Sequence, residues 1–381
     1  MKKFSRRALA HAAASALAAQ QSNPDYIGPL TGLNDQADGR GLDPLPNALR
    51  LLDAAPRKLR FSARNKSQAQ QWQGQLRPKV VELLGGFPFE RGALNPVTLE
   101  TRDYGKYRRE KVIFDSRDGV SVLAYILTPT GVKASLPSVI CVPGHGRGVD
   151  DIVGIDDKGR DRTDKAGYQH DFAVQIVEAG MAAVAIEPMG FGCRRDPRNS
   201  KRGLGQSSCQ PVAGTALLLG HTMIGWRVYD VMRTIDWMAT RPELDSKRIG
   251  CMGISGGGTC TLFAAAIEAR IRAAFVSGYL NTFRDSIGSI SHCIDNYVPG
   301  ILNWAEMYDI AGLIAPRPLF IESGSRDNIF PVQASVDSFK KVSAIYEVFG
   351  VANLVDQEVF DDAHSFWGKK GIPFLASNLK A

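Results

Sequence analysis

From Ser138 onward, strand-like apolar runs alternate with stretches of helical spacing, and this alternation constrains the fold more than any other feature. SVICVPGHG and MAAVAIEPMGFG read as continuous buried strands, and RIGCMGI, RIRAAFVSGYL, RPLFIESGS and NLVDQEVFDD as further strands. Between them, DFAVQIVEAG, IGWRVYDVMRTIDWMATRP, GTCTLFAAAIEA and ASVDSFKKVSAIYEVFG carry apolar residues at helical intervals. A strand without polar alternation is covered on both faces, and helices between successive strands make those strands parallel. The expected class is α/β, a mostly parallel sheet with helices on both faces. Before the alternation lie PVTLETRDYG, YRREKVIFD and GVSVLAYILTP, the last two joined across Asp118-Gly119, a strong hairpin signal. These strands are expected to form an antiparallel N-terminal edge.

The first hundred residues follow different rules. Residues 1–21 have a basic start, an Ala-rich segment and small-residue cleavage positions, and read as a twin-arginine-type export signal or a basic tail. The first reading makes the protein exported, the second cytoplasmic. Asn23 to about Leu59 is rich in Pro, Gly, Asp and Asn and reads as a surface arm. Ser62 to Leu84 has helical spacing, with Trp72, Leu76, Val80, Leu83 and Leu84 on one side, and Gly85-Gly86 stops it.

Composition narrows the partners. The net charge of +7 is concentrated in the first residues and in one loop (Arg194, Arg195, Arg198, Lys201, Arg202) set among Gly, Pro, Ser and Asn. Nucleic-acid binding wants basic residues interleaved with stacking aromatics, so none is expected. No run of about 18 strongly apolar residues exists, so no membrane span is expected. The six cysteines form no C-x-x-C pair and the histidines lack zinc spacing, so no metal is expected. Cys141 and Cys251 read as core residues. Cys193 and Cys209 flank the basic loop and read as free thiols or, in an exported protein, as a disulfide.

Gly253-Ile254-Ser255-Gly256-Gly257 is a G-x-S-x-G motif. Composition alone yields about 0.25 such matches by chance, so context decides. Here the motif lies between a strand and a helix, which is where a nucleophile elbow exposes its serine. A serine needs a base, and acid and base follow it in chain order on loops after strands. Asp327 follows the strand PLFIESGS and His364 follows the last strand. Asp361, Asp362 and Glu322 are rival acids, and His292 is the remaining downstream histidine but follows no strand directly.

Two backbone donors are needed for an oxyanion. The first is expected at Gly256, directly after the nucleophile, and the second in Pro143-Gly144-His145-Gly146-Arg147, with Arg147 ahead of Gly146. A dinucleotide fingerprint fails here because its third glycine would fall on Val149. His145 reads either as a ligand-facing side chain or as a spacer, and Trp304 is a candidate pocket wall, as are Tyr297, Trp367 and Phe191. The polar segments Arg147 to Gln169 and Cys193 to Gly220 follow strand carboxyl ends, where open α/β sheets bind ligands.

Together GCMGISGGGT, SGSRDNIFP, DDAHSFW and GWRVYDVMRTIDWMATRPELDSKRIG resemble the α/β-hydrolase superfamily, and within it the dienelactone-hydrolase and acetyl-xylan-esterase-like branch. The resemblance covers about Glu100 to Leu379. It implies the α/β-hydrolase fold over 100–381, preceded by an arm and helical extension over 22–99. It also implies hydrolysis of small acyl esters, acetyl esters of carbohydrates among them, without cofactor or metal, with Ser255 as nucleophile, Asp327 as acid and His364 as base. Serine stands where dienelactone hydrolases have cysteine, and Arg147 where acetyl-xylan esterases usually carry an aromatic residue. A prolyl-oligopeptidase-like peptidase and a non-catalytic binding protein of the same fold are the alternative readings. The sequence leaves the oligomeric state open.

Overall fold

The computed structural model of the protein describes residues 28–29, 39–132, 134–198, 203 and 205–380. The expected export signal or basic tail lies outside them, as do Lys201 and Arg202. The chain divides into two compact units, Met1–Arg50 and Leu51–Ala381. The expected arm is not irregular throughout: a helix, α1 (Leu45–Asp53), forms in it with no buried residue. Its start is held by Asp43, whose carboxylate accepts the Leu45 N–H at 2.9 Å.

The second unit opens with α2 (Lys66–Leu83), capped by Asn65, whose side chain accepts from the Gln68 N–H. Strands β1 (Val97–Asp103), β2 (Tyr107–Arg117) and β3 (Val120–Pro129) follow, with Asp118-Gly119 turning β2 into β3. Then strands and helices alternate: β4 (Leu136–Val142), α3 (Phe172–Glu178), β5 (Ala182–Ile186), α4 (Cys209–Leu218) and α5 (Met223–Met238). The series continues with β6 (Leu244–Ile254), α6 (Gly256–Ile267), β7 (Ile271–Ser277), α7 (Met307–Gly312), β8 (Leu319–Gly324), α8 (Val332–Phe349), β9 (Val355–Phe360) and α9 (Gly371–Lys380).

The nine strands form one sheet in the order β1-β2-β3-β5-β4-β6-β7-β8-β9. The pairs β1–β2, β2–β3 and β3–β5 are antiparallel and the other five are parallel. This is the expected mostly parallel sheet with an antiparallel N-terminal edge. Strands β4 and β5 are buried along their whole length, which explains their unbroken apolar runs. One face packs on α2, α5, α6, α7 and α8, the other on α3 and α9. Trp72, Leu76, Val80 and Leu84 belong to the same core as Phe114, Ile140 and Leu262, because the apolar side of α2 has no other surface on which to bury itself.

Strand order reverses at β4, which has β5 on one side and β6 on the other. Loops leaving such a point diverge and leave a crevice at the carboxyl edge. The loop after β4, the β6–α6 junction and the loops after β8 and β9 all lie on that edge.

Candidate active site

Ser255 joins β6 to α6 with φ 57° and ψ −122°, a conformation rare for any residue with a side chain. Holding a residue there costs on the order of 1–3 kcal/mol. Two glycines permit the close passage of backbone around it. A Cβ on Gly257 would lie 1.9 Å from the Val142 carbonyl oxygen, and one on Gly253 would lie 2.5 Å from that of Gly257. Ser255 N–H donates to Ser277 O at 3.1 Å, and Ser255 O accepts from Thr259 N–H at 2.8 Å, so the junction is fixed on both sides. Helix α6 starts at Gly256 and aims its unpaired N–H groups and dipole at the serine.

Asp327 and His364 meet at this edge. His364 Nδ1 lies 2.7 Å from Asp327 Oδ2. Asp327 Oδ1 accepts the N–H groups of Ile329 and Phe330 at 2.8 and 2.9 Å, so one carboxylate oxygen is fixed by its own loop and the other faces the imidazole. His364 Nε2 is buried and has no hydrogen-bond partner among the described residues. The rings of Tyr168 and Phe330 stack on the imidazole at 5.7 and 5.6 Å. Ser255 and His364 line one cavity of about 510 Å³, together with His145, Tyr168, Ile290, Ser291, His292, Cys293 and Ile329.

The rival acids are engaged elsewhere. Asp361 pairs with Arg326. Asp362 accepts from Ala363 N–H and Ser365 Oγ at 2.7 and 2.9 Å. Glu322 accepts from Ser277 Oγ at 2.7 Å and from the N–H groups of Trp367 and Gly368 at 3.0 and 2.9 Å, so it anchors the loop that carries His364. Burial pushes its carboxyl up to about 7, against the pull of those N–H donors.

The loop after β4 departs from expectation. Arg147 N–H donates to Asp151 Oδ2 at 2.8 Å and its Nε to Asp151 Oδ1 at 2.7 Å, which removes Arg147 as an oxyanion donor. Arg147 and Gly146 line a neighbouring cavity with Glu187 and Asp150. Gly144 N–H donates to Gln169 Oε1 at 2.8 Å. Of the remaining loop amides, those of His145 and Gly146 have no partner among the described residues, and only His145 lines the Ser255 cavity. Tyr168 Oη donates to His145 O at 2.7 Å and fixes that peptide.

Other expectations are also redirected. Trp304 does not line the cavity: Lys58 and Lys79 lie over its ring at 5.0 and 4.4 Å. Tyr297 lines a separate apolar cavity, and Trp367 stacks on Phe360. Phe191 is buried 4.6 Å from the His145 ring. Cys193 and Cys209 are both free thiols, Cys193 exposed and Cys209 buried. The cysteine beside Cys209 is Cys293. His145, Cys209, Cys293 and Asp295 each bring a potential metal-ligand atom within 4.8 Å of the others. Local spacing carried no sign of this set, because its members come from three segments far apart in the chain. His292, passed over for lack of a preceding strand, stands on the cavity wall, and burial lowers its pKa.

The fold and this edge define an α/β-hydrolase. Residues 33–357 match the Abhydrolase family, to which the chain therefore belongs. It is 26% identical over 285 residues to YtaP of Bacillus subtilis (strain 168), provisionally named a hydrolase, covering 73% of this chain and 89% of the relative. A structure from Bacteroides fragilis NCTC 9343, provisionally named an acetyl xylan esterase, superposes with a TM-score of 0.72 at 21% identity, covering 85% of this chain and 83% of that one. The glucuronoyl esterase of Solibacter usitatus superposes with a TM-score of 0.59 at 15% identity, over 81% and 93%. At these identities the two structures speak for the fold.

Proposed function

We propose that the protein is a serine esterase that hydrolyses small acyl esters through an acyl-enzyme. The observation that carries this reading is the Asp327–His364 pair, whose outer nitrogen is buried without a hydrogen-bond partner among the described residues, in the cavity that Ser255 lines from a strained elbow. His364 Nε2 takes the hydroxyl proton as Ser255 Oγ attacks the ester carbonyl. Asp327 holds Nδ1–H and stabilises the imidazolium that results. The oxyanion is received by the N–H groups of Gly256 and His145, at the positive end of α6. His364 then gives the proton to the leaving alcohol. Water, deprotonated by the same nitrogen, releases the acid and restores the serine.

Acetyl esters of carbohydrates are the substrate class we favour. A cavity of about 510 Å³ with a mainly apolar wall that includes Ile290 and Ile329, and with His and Ser side chains set into it, suits a short acyl group. The acetyl xylan esterase name given to the Bacteroides fragilis structure points the same way. Ser255→Ala is expected to lower turnover of p-nitrophenyl acetate by at least about 10³-fold with an unchanged circular dichroism spectrum. Retention of wild-type turnover would overturn the reading. A screen of acyl length and sugar acetates then ranks substrates.

A further inference from the structure

We propose that His145, Cys209, Cys293 and Asp295 bind a zinc ion in the wall of the Ser255 cavity. The four side chains converge from the loop after β4, the first turn of α4 and the segment after β7. Two of the spacings match the edges of a tetrahedron, and all four donor atoms lie within 4.8 Å of one another. Zinc bonds of about 2.0–2.2 Å to N and O and about 2.3 Å to S require an N···O edge of about 3.4 Å and an S···O edge of about 3.6 Å. His145 Nε2 lies 3.4 Å from Asp295 Oδ2, and Cys209 Sγ lies 3.6 Å from the same oxygen.

The first of these contacts is longer than an ordinary hydrogen bond and is an ion pair only when His145 is protonated. N–H···O bonds run about 2.7–3.2 Å, and the buried His145 Nε2 has no hydrogen-bond partner among the described residues. A cation at the centre gives that nitrogen a partner. The donor chemistry selects the ion: two thiolates, an imidazole and a carboxylate in tetrahedral array suit zinc, whereas magnesium and calcium want oxygen cages.

Charge balance agrees. Two thiolates and a carboxylate are neutralised by a divalent cation together with Arg227, which is buried beside them. Arg227 Nη1 lies 2.5 Å from Asp295 Oδ2, and Nη2 lies 3.4 Å from Cys209 Sγ. The guanidinium is held in place by Met189 O, which accepts from Nε and Nη2 at 3.1 and 2.6 Å. Asn296 Nδ2 donates to Asp295 Oδ1 at 2.8 Å. Such outer partners orient ligating groups. With all four positions filled by protein the site is structural, and it ties the His145 loop to the opposite wall of the cavity.

The test uses the full-length chain, purified with a phosphine reductant and incubated with zinc chloride. Mass-spectrometric metal analysis after gel filtration is expected to find one zinc per chain. Cobalt substitution is expected to give a thiolate-to-metal absorption band. Competition with a chromophoric chelator is expected to show zinc affinity lowered at least 100-fold in Cys293→Ser, with an unchanged circular dichroism spectrum. The proposal is overturned if the wild-type chain retains no stoichiometric zinc, or if Cys293→Ser binds zinc as tightly as wild type. A Cys209–Cys293 disulfide in zinc-free protein purified without reductant, with no zinc uptake after reduction, overturns it as well. Labelling of Ser255 by a fluorophosphonate reports on the esterase reading separately.

Discussion

A single residue, Ser255, combines backbone strain with the nucleophile's place in the proposed reaction. Its backbone conformation suits glycine, and alanine keeps the offending Cβ. Ser255→Gly is expected to be more stable than Ser255→Ala by about 1 kcal/mol, after the greater freedom of glycine in the unfolded chain is subtracted. Calorimetric melting of the two variants checks this, and equal melting temperatures would mean that the elbow stores no strain. Ser255, Asp327 and His364 stood out as candidates because each follows a recognisable strand in a fixed chain order, and the structure brings Asp327 against His364 and sets Ser255 and His364 on one cavity. The role expected of Arg147 was misread because a side chain four residues on, Asp151, captures its amide. Nothing in the loop's glycine pattern reports that capture. Trp304 was misread because an aromatic residue looks alike whether it faces a ligand or a pair of lysines.

The junction of β6 and α6 tolerates no added volume. Gly257→Ala would press a methyl group into the Val142 carbonyl and is expected to cost about 3 kcal/mol or more, or to prevent soluble accumulation. Gly214→Ala, in α4, meets nothing within 4 Å and is expected to be neutral or stabilising by up to about 1 kcal/mol. Urea unfolding of both variants measures the contrast, and equal effects would show that the turn yields. Elements of this kind were readable because burial on both faces leaves unbroken apolar runs. Helix α1 was not, because Pro44 and Pro46 resemble loop punctuation, yet proline is accepted in a first turn whose N–H groups have no intrahelical partner.

Across the whole molecule, two buried acids make stability depend on pH. Burial pushes Glu187 up to about 8, with the Val149 N–H bond opposing, and Glu322 up to about 7. A carboxyl whose pKa is raised by folding favours the folded state at low pH, below its unfolded value of about 4.3. That contribution is lost as pH climbs toward the folded value. The melting temperature is expected to fall between pH 5 and pH 8, and Glu187→Gln to fall less steeply. A parallel decline in the variant would remove Glu187 from the account. The sheet and its helices were readable at this scale. The His145, Cys209, Cys293 and Asp295 cluster was not, because only tertiary packing brings its segments together. A last consequence follows from the position of α9, whose Leu379 packs against Gly250 on β6 and whose Gly371 packs against Phe275 on β7. On a translating ribosome the β6–α6 elbow emerges well before His364 and the helix that locks the edge behind it. Under the proposed esterase reading, the nascent chain carries its serine unarmed until synthesis has passed α9.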